Sequence, residues 1–227
     1  LKTTAVAAVV VAAGSGRRLG MSTPKAFVML AGMPMFEHSL KAFSKTGLVG
    51  QLVLVIPPGR RLNRGALVKR YPKLLSVVRG GRERTDSVRA GLAAVPPRTG
   101  LVLVHDAARP LASPRDIEAV VRAARRHGAA ILAEPMADTV KRVDRGLVRA
   151  TLNRRLLWRA QTPQGFRRRL LERCHDLAGS SATDDSSLAE GLGAKVAVVP
   201  ASGPNFKITT RTDLEIAACL LQKKRSA

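Results

Sequence analysis

Ala5-Val6-Ala7-Ala8-Val9-Val10-Val11-Ala12-Ala13 runs without a polar side chain into Gly14-Ser15-Gly16-Arg17-Arg18-Leu19-Gly20, and Pro24-Lys25 follows. A short, continuously apolar run rich in β-branched residues reads as a strand buried on both faces. The glycines let backbone N–H groups approach a ligand, because no Cβ stands between. Consecutive amides in such a turn form an anion-binding concavity, and Arg17, Arg18 and Lys25 bring cations to it. The loop reads as a wrapper for a polyphosphate. It is not a P-loop, which requires Gly, four residues, then Gly-Lys-Ser/Thr. Nor is it the dinucleotide fingerprint, whose third glycine follows the second by three positions; here Gly20 follows Gly16 by four. A plain strand-to-helix turn with incidental basic residues is the competing reading.

Outward from this stretch, apolar strands alternate with amphipathic helices. Strands are expected at Leu52–Ile56, Leu75–Val78, Leu101–His105, Ala129–Ala133 and Lys195–Val199. Helices are expected at Phe36–Ser44, Arg61–Tyr71, from Asp86 or Thr85 through Ala94, from Ser113-Pro114 onward, near Arg167–Leu177, from about Thr183 to Glu190, and from Asp213 to about Gln222. This alternation predicts an α/β fold: a Rossmann-like, mostly parallel sheet with helices on both faces. Thr139–Val143, the turn Asp144-Arg145-Gly146 and Leu147–Leu152 break the rhythm and read as a projecting β-hairpin with little to bury by itself. With no linker or repeat, residues 1–227 read as a single domain.

The formal net charge of +23 invites a nucleic-acid reading. Against it, the arginine pairs are dispersed along the chain, and aromatic residues make up only 3%, too few for a base-stacking platform. A positive field attracts small phosphates equally well. The two cysteines, Cys174 and Cys219, make no metal-ligand pattern and read as free thiols in a reducing compartment. No apolar run is long enough to span a membrane, and Ala5–Ala13 leads into a glycine loop, not a signal-peptide cleavage site. A cytoplasmic protein is expected.

Five further segments sharpen the glycine-loop reading: Gly80-Gly81-Arg82-Glu83-Arg84-Thr85-Asp86-Ser87-Val88, Val104-His105-Asp106-Ala107-Ala108-Arg109-Pro110, Asp138-Thr139-Val140-Lys141, Thr162-Pro163-Gln164 and Asn205-Phe206-Lys207-Ile208-Thr209. In content and order they resemble the sugar-phosphate and polyol-phosphate cytidylyltransferases, above all the 2-C-methyl-D-erythritol 4-phosphate cytidylyltransferases of the non-mevalonate isoprenoid pathway. The resemblance spans nearly the whole chain. It implies a nucleotide-diphospho-sugar-transferase-like fold and transfer of CMP from CTP to the substrate phosphate, with release of pyrophosphate. A phosphate monoester is already an adequate nucleophile, so positioning and electrostatics would carry the catalysis.

By the same resemblance, Arg18, Lys25 and Lys207 are the catalytic cations. Ala12, Ala13, Gly14, Gly80, Gly81, Ser87, Asp106 and Ala107 would hold the nucleotide. Asp106 follows an apolar strand, at the end where open α/β sheets bind ligands. It is the candidate ligand for Mg2+ or another divalent cation, since magnesium takes only one or two carboxylates; an Asp that merely caps the next loop is the alternative. His105 is expected to orient the loop. Arg109, Thr139, Arg154, Thr162 and Thr183 would address the polyol phosphate. Arg155 competes with Arg154, a strand-end hydroxyl is the alternative for Thr162, and a helix N-cap is the alternative for Thr183. The hairpin, about residues 138–160, would be an arm that clasps a second subunit, giving a homodimer with composite sites. Three positions depart from the family pattern: Val11 for a common proline, Ala26 for a common glutamine, and Arg82 where an acidic residue is common. A ribitol-5-phosphate cytidylyltransferase would share the nucleotide motifs, a guanylyl- or adenylyltransferase would use another base, and a basic nucleic-acid-binding protein remains as the non-enzyme rival.

Overall fold

The computed structural model describes residues 5–14, 23–177 and 182–226. In chain order the elements are β1 (Val6–Val11), β2 (Met29–Leu30), β3 (Met33–Pro34), α1 (Met35–Lys45), β4 (Gln51–Ile56), α2 (Arg64–Arg70), β5 (Leu74–Arg79), α3 (Arg84–Ala93) and β6 (Leu101–Asp106). Then come α4 (Pro114–His127), β7 (Ala129–Pro135), β8 (Lys141–Asp144), β9 (Leu147–Thr151), β10 (Trp158–Arg167), α5 (Arg168–Leu177), α6 (Asp185–Gly191), β11 (Val196–Pro200) and α7 (Arg211–Ser226).

Seven strands form one sheet in the order β11-β7-β10-β6-β1-β4-β5. All its pairings are parallel except those of β10, which is antiparallel to both β6 and β7. The apolar run of β1 lies between β6 and β4 and is buried on both faces, as its composition requires. Successive side chains point to opposite faces. Ala8 and Val10, with Leu52, Leu54, Leu101 and Leu103, pack on Phe36, Leu40 and Phe43 of α1 and on Ile117 and Val120 of α4. Ala7 and Val9, with Val53, Val55, Val102 and Val104, face Val88 and Leu92 of α3 and Leu171 and Cys174 of α5. The close approach of α3 to the sheet depends on Gly91: a Cβ there would lie 2.3 Å from Val9 Cγ1 and 2.9 Å from Val55 Cγ2.

The α/β alternation is as expected, with corrections at element starts. α2 begins at Arg64, not Arg61, because Asn63 accepts the amide of Ala66 and caps the helix there. α3 is capped at Glu83, not at Thr85 or Asp86; Asp86 lies inside the first turn, where Oδ2 accepts the Glu83 amide. α7 begins at Arg211 because Thr210 Oγ1 accepts the Asp213 amide while Asp213 Oδ2 accepts the Thr210 amide, a reciprocal box. Ser113 caps α4 as expected.

The larger correction is β10. This ten-residue strand lies in the middle of the sheet, yet Gln161, Thr162, Pro163 and Gln164 resemble a loop in sequence. A register shift between Gln161 and Gln164 takes Thr162 and Pro163 out of the ladder with β7, so the proline removes no bond there. Gln164 is satisfied from outside the sheet: Oε1 accepts the amides of Asp185 and Ser186, and Nε2 donates to Asp184 Oδ2.

The hairpin β8-β9 is a separate two-stranded sheet. Its turn residues Arg145 and Gly146 both have left-handed backbones, at φ 48° and 78°. That conformation is favoured at the centre of a tight hairpin turn.

Candidate active site

The carboxyl ends of β1, β5 and β6 bring the segment Ala12–Gly14, the Gly80 loop and Asp106 together. Ala12 and Ala107 are held by backbone bonds to Val55 O at 2.7 Å and Val11 O at 3.0 Å. The Gly80 amide donates to Ile56 O at 2.8 Å. A Cβ on Gly80 would meet Ala13 Cβ and Ser87 Oγ, each at 2.5 Å. Three expected nucleotide contacts, Ala13, Gly80 and Ser87, are thus in direct contact, and only glycine fits between the other two. Gly81 lies equally close to Asp86. Gly14 is exposed, and a Cβ added there would meet nothing within 4 Å among the described residues. Ser87 is buried, and its hydroxyl donates to Glu83 O. Lys25 is partly buried in a 3-10 turn, Lys25–Phe27. Arg18 lies outside the described residues.

Asp106 is the electrostatic centre. Lys207 Nζ donates to its Oδ2 at 2.7 Å, and Arg84 Nε to its Oδ1 at 3.2 Å. Burial alone would raise this carboxyl's pKa; Arg84, Lys207 and Arg109 together hold it well below the usual carboxylate range. Lys207 reaches Asp106 because the Ile208 amide donates to Ala108 O at 2.8 Å and pins the segment beside the loop after β6. Asn205, buried, anchors the same segment by donating to Gln161 Oε1 and Thr162 O. Arg109 donates to Asn205 O and Ala160 O. Burial lowers its pKa, and Asp106 opposes that effect. Three cations thus converge on one carboxylate at this end of the sheet.

Arg84 is a residue that the sequence reading passed over, although it stands inside the Gly80–Val88 motif. Its Nη2 donates to Asp185 Oδ2 at 2.7 Å. Asp185 is fully buried, and its Oδ1 lies 2.9 Å from His175 Nε2. Arg84 therefore bridges two carboxylates 79 positions apart in the chain. Nothing in local patterning marks Asp185 or His175 as its partners.

His105 has the loop-orienting role expected of it. The Asp106 amide donates to Thr162 Oγ1 at 3.0 Å, Thr162 Oγ1 donates to His105 Nδ1 at 3.1 Å, and His105 Nε2–H donates to Arg109 O at 3.2 Å. Each donor and acceptor in this chain requires a neutral imidazole. Burial lowers the His105 pKa to about 4. Between that value and the ordinary 6.5, the unfolded chain takes up a proton that the folded one refuses. Stability from this residue is therefore intact above pH 6.5 and is lost as pH falls toward 4. In metal-free buffer, unfolding free energy is expected to drop by about 2 kcal/mol between pH 7 and pH 5 from this group. His105→Gln should flatten that part of the profile in urea titrations, and an unchanged slope would count against the assignment.

A cavity of about 240 Å3 opens beside Asp106, lined by Arg84, Arg109, Gln161, Thr162, Gln164 and Thr183 among others. Thr162 and Thr183 are thus brought to the site. The Thr162 hydroxyl is engaged internally as described, and the helix cap read at Thr183 belongs to Asp184, whose Oδ1 accepts the Ser187 amide. Thr139 and Arg154 are exposed and do not line this cavity; Arg154 donates to Ala137 O at 2.6 Å at the base of the hairpin. Arg155 is exposed as well. Among the described residues no cluster of three His, Cys, Asp or Glu side chains could hold a metal by itself.

Comparison with known proteins agrees with this geometry. The model of the IspD family, 2-C-methyl-D-erythritol 4-phosphate cytidylyltransferase, matches residues 6–223. A protein of that name from Pelotomaculum thermopropionicum is 46% identical over 227 residues, covering 97% of this chain and 95% of the relative. The crystal structure of the 4-diphosphocytidyl-2C-methyl-D-erythritol synthase of Anaerococcus prevotii superposes with a TM-score of 0.85 at 31% identity, over 97% of this chain and 100% of that one. The 2-C-methyl-D-erythritol 4-phosphate cytidylyltransferase of Thermus thermophilus gives 0.80 at 33% identity, over 95% and 98%. With its family match nearly end to end, a mostly parallel sheet of the same architecture, and Asp106 set between cations at the carboxyl end of β6, the chain belongs to the 2-C-methyl-D-erythritol 4-phosphate cytidylyltransferase family.

Proposed function

We propose that the protein transfers CMP from CTP to 2-C-methyl-D-erythritol 4-phosphate, giving 4-diphosphocytidyl-2-C-methyl-D-erythritol and pyrophosphate. The observation that carries the chemistry is the Lys207–Asp106–Arg84 constellation, whose Asp106 and Arg84 line an open cavity. The substrate phosphate attacks the α-phosphorus in line, and the pyrophosphate leaves opposite. Negative charge grows on the non-bridging oxygens of a five-coordinate phosphorus. Lys207, Lys25 and Arg18 are the cations assigned to that charge, acting in a site that supplies fixed positive groups in place of water. Ala13, Gly14, Gly80, Gly81 and Ser87 are assigned to the nucleotide, with backbone groups reading cytosine.

Asp106 would hold Mg2+ or a similar cation. One carboxylate suffices where phosphate oxygens and water complete the shell, and the lack of a multi-carboxylate cluster among the described residues fits that arrangement. When bound, the metal supplies charge neutralisation at the phosphates. A cation at Asp106 would compete with Lys207 and Arg84 for its oxygens, and the two side chains would then be available to phosphate.

The second substrate falls to Arg109, Thr162 and Thr183 of one chain and, in this proposal, to Thr139 and Arg154 of a second. The hairpin supports the dimer. Val143, Leu147, Val148 and Leu156 are 55–78% exposed, an apolar surface without cover in the single chain. Leu147→Asp combined with Val148→Asp is expected to turn a dimer into a monomer by light scattering at micromolar concentration. Arg154→Ala should raise KM for the polyol phosphate while leaving that for CTP unchanged. Wild-type protein that is monomeric throughout would remove the composite site. A cytoplasmic location accords with the free cysteines and with the lack, among the described residues, of a helix long and apolar enough to cross a membrane.

The test of the function is pyrophosphate release with Mg2+ across CTP, UTP, ATP and GTP, each with methylerythritol phosphate or ribitol phosphate. Release is expected only with CTP and methylerythritol phosphate. Release with ribitol phosphate would keep the mechanism and change the substrate. The ribitol reading is not favoured, since the matching family and the relatives above carry methylerythritol phosphate or its cytidylyl product in their names.

A further inference from the structure

The end of the sheet opposite Asp106 carries a second basic cavity. Leu101 opens β6 there, paired with Arg167, the last residue of β10. Asp106 is five residues along the same strand, roughly 17 Å away at the usual rise. The cavity has a volume of about 460 Å3, nearly twice that beside Asp106, and lies between the Pro97–Gly100 loop and the first turn of α5.

Four arginines line it: Arg98, Arg167, Arg168 and Arg169. They are not equivalent. Arg168 holds structure, donating to the carbonyls of Val95 and Pro96 and to Glu172 Oε1 at 2.6 Å. Glu172, the sole acid in the lining, is thereby engaged. Arg98, Arg167 and Arg169 are exposed and have no acidic partner among the described residues.

Three features of this place are unfavourable without a ligand. Arg167-Arg168-Arg169 crowd like charges in consecutive positions. They do so at the start of α5, whose first turn has no acidic residue and whose positive dipole end disfavours cations. Thr99 also lines the cavity; it is only 3% exposed, and its Oγ1 has no hydrogen-bond partner among the described residues. An anion seated here would relieve the charge crowding and the dipole conflict.

We propose that this cavity is a second anion site, distinct from the reaction centre, that takes a compact oligophosphate: free pyrophosphate or a longer inorganic chain, or the phosphate tail of a nucleotide. Arginine forks match phosphate oxygens in pairs. The lining has no aromatic side chain on which a base could stack. A concave pocket suits a short chain of phosphates, whereas an extended nucleic acid is tracked by cations along a groove. The assignment does not depend on the residue roles proposed at Asp106.

The test is calorimetric titration of the full-length protein with inorganic tripolyphosphate, pyrophosphate and CTP in parallel. Modification of arginines by phenylglyoxal, read peptide by peptide by mass spectrometry, locates the sites. Wild type is expected to bind two tripolyphosphates per chain, with Arg98 and Arg169 protected. R98A/R169A should bind one, with affinity at the lost site at least about tenfold weaker. Its turnover should stay at the wild-type value, its melting temperature should hold or rise as the charge crowding is relieved, and R98K/R169K should recover part of the binding. Protection by CTP as well as by tripolyphosphate would identify a nucleotide tail as a ligand; protection by the inorganic chains alone would identify those. A single site in both proteins, unprotected Arg98 and Arg169, or protection by a single-stranded oligonucleotide at concentrations where tripolyphosphate gives none would each overturn the proposal.

Discussion

Replacing Lys207 by alanine is expected to lower kcat about 10²- to 10³-fold, the range found when one preformed donor to a developing oxyanion is removed. The expectation rests on where the ammonium is held. Lys207 Nζ sits 2.7 Å from Asp106 Oδ2, and the segment that carries it is pinned by the Ile208–Ala108 backbone bond and by buried Asn205. Its side chain is 39% exposed, so truncation leaves no buried void. Asp106 retains Arg84 as a partner, and the fold should survive. Circular dichroism and a urea titration would confirm that, and steady-state pyrophosphate release would give kcat. Lys207→Arg should recover part of the loss, because the charge returns with a different shape. Turnover of the alanine variant within about threefold of wild type would show that Lys207 serves only to hold Asp106.

Replacing Asp185 by asparagine should have the largest effect on stability, a loss of about 3–5 kcal/mol. Asp185 is fully buried and is the common partner of Arg84, at 2.7 Å, and His175, at 2.9 Å. Its loss leaves a mostly buried guanidinium with only the longer contact to Asp106, and with an Nη1 that already has no hydrogen-bond partner among the described residues. Breaking such a pair costs more than forming it contributes, because the remaining charge stays out of water. For a chain of this size the melting temperature should fall by roughly 10 °C. The urea midpoint should fall without a change in slope. Turnover should fall too, since Arg84 loses the anchor that aims it at Asp106. A stability loss below about 1 kcal/mol would mean that Asp106 or water suffices for Arg84 and that the pair with Asp185 is not a structural requirement.

Much of this architecture is legible in the chain because it is written in local patterns. β1 is a run of Val and Ala with no polar residue, and only a strand buried on both faces accommodates that run. α4 carries its own start signal, Ser113 before Pro114, and its own apolar stripe through Ile117, Val120, Val121 and Ala124. The Gly80 loop was readable as a ligand loop, and the contact of Gly80 with Ala13 and Ser87 explains why glycine stands there.

β10 was not legible, for a physical reason. Gln161, Thr162, Pro163 and Gln164 have loop character when judged by their neighbours in sequence, and their strand conformation is stabilised by groups far along the chain. Gln164 is satisfied by Asp184, Asp185 and Ser186, and Thr162 by His105 and the Asp106 amide. Tertiary partners override propensity where they satisfy the polar groups that would otherwise demand water.

The division is similar at the site. From the amino-acid sequence alone come the α/β alternation, Asp106 at a strand end and the family resemblance, because each depends on residue type and short spacing. Only the tertiary structure decided that Lys207 meets Asp106 across 101 positions, that Arg84 joins Asp106 to Asp185, and that arginines with no acidic partner among the described residues gather around a cavity at the other end of the sheet. Those are encounters between side chains on separate elements. Their energies come from burial and from charges at a few ångströms, and neither exists until the chain has folded.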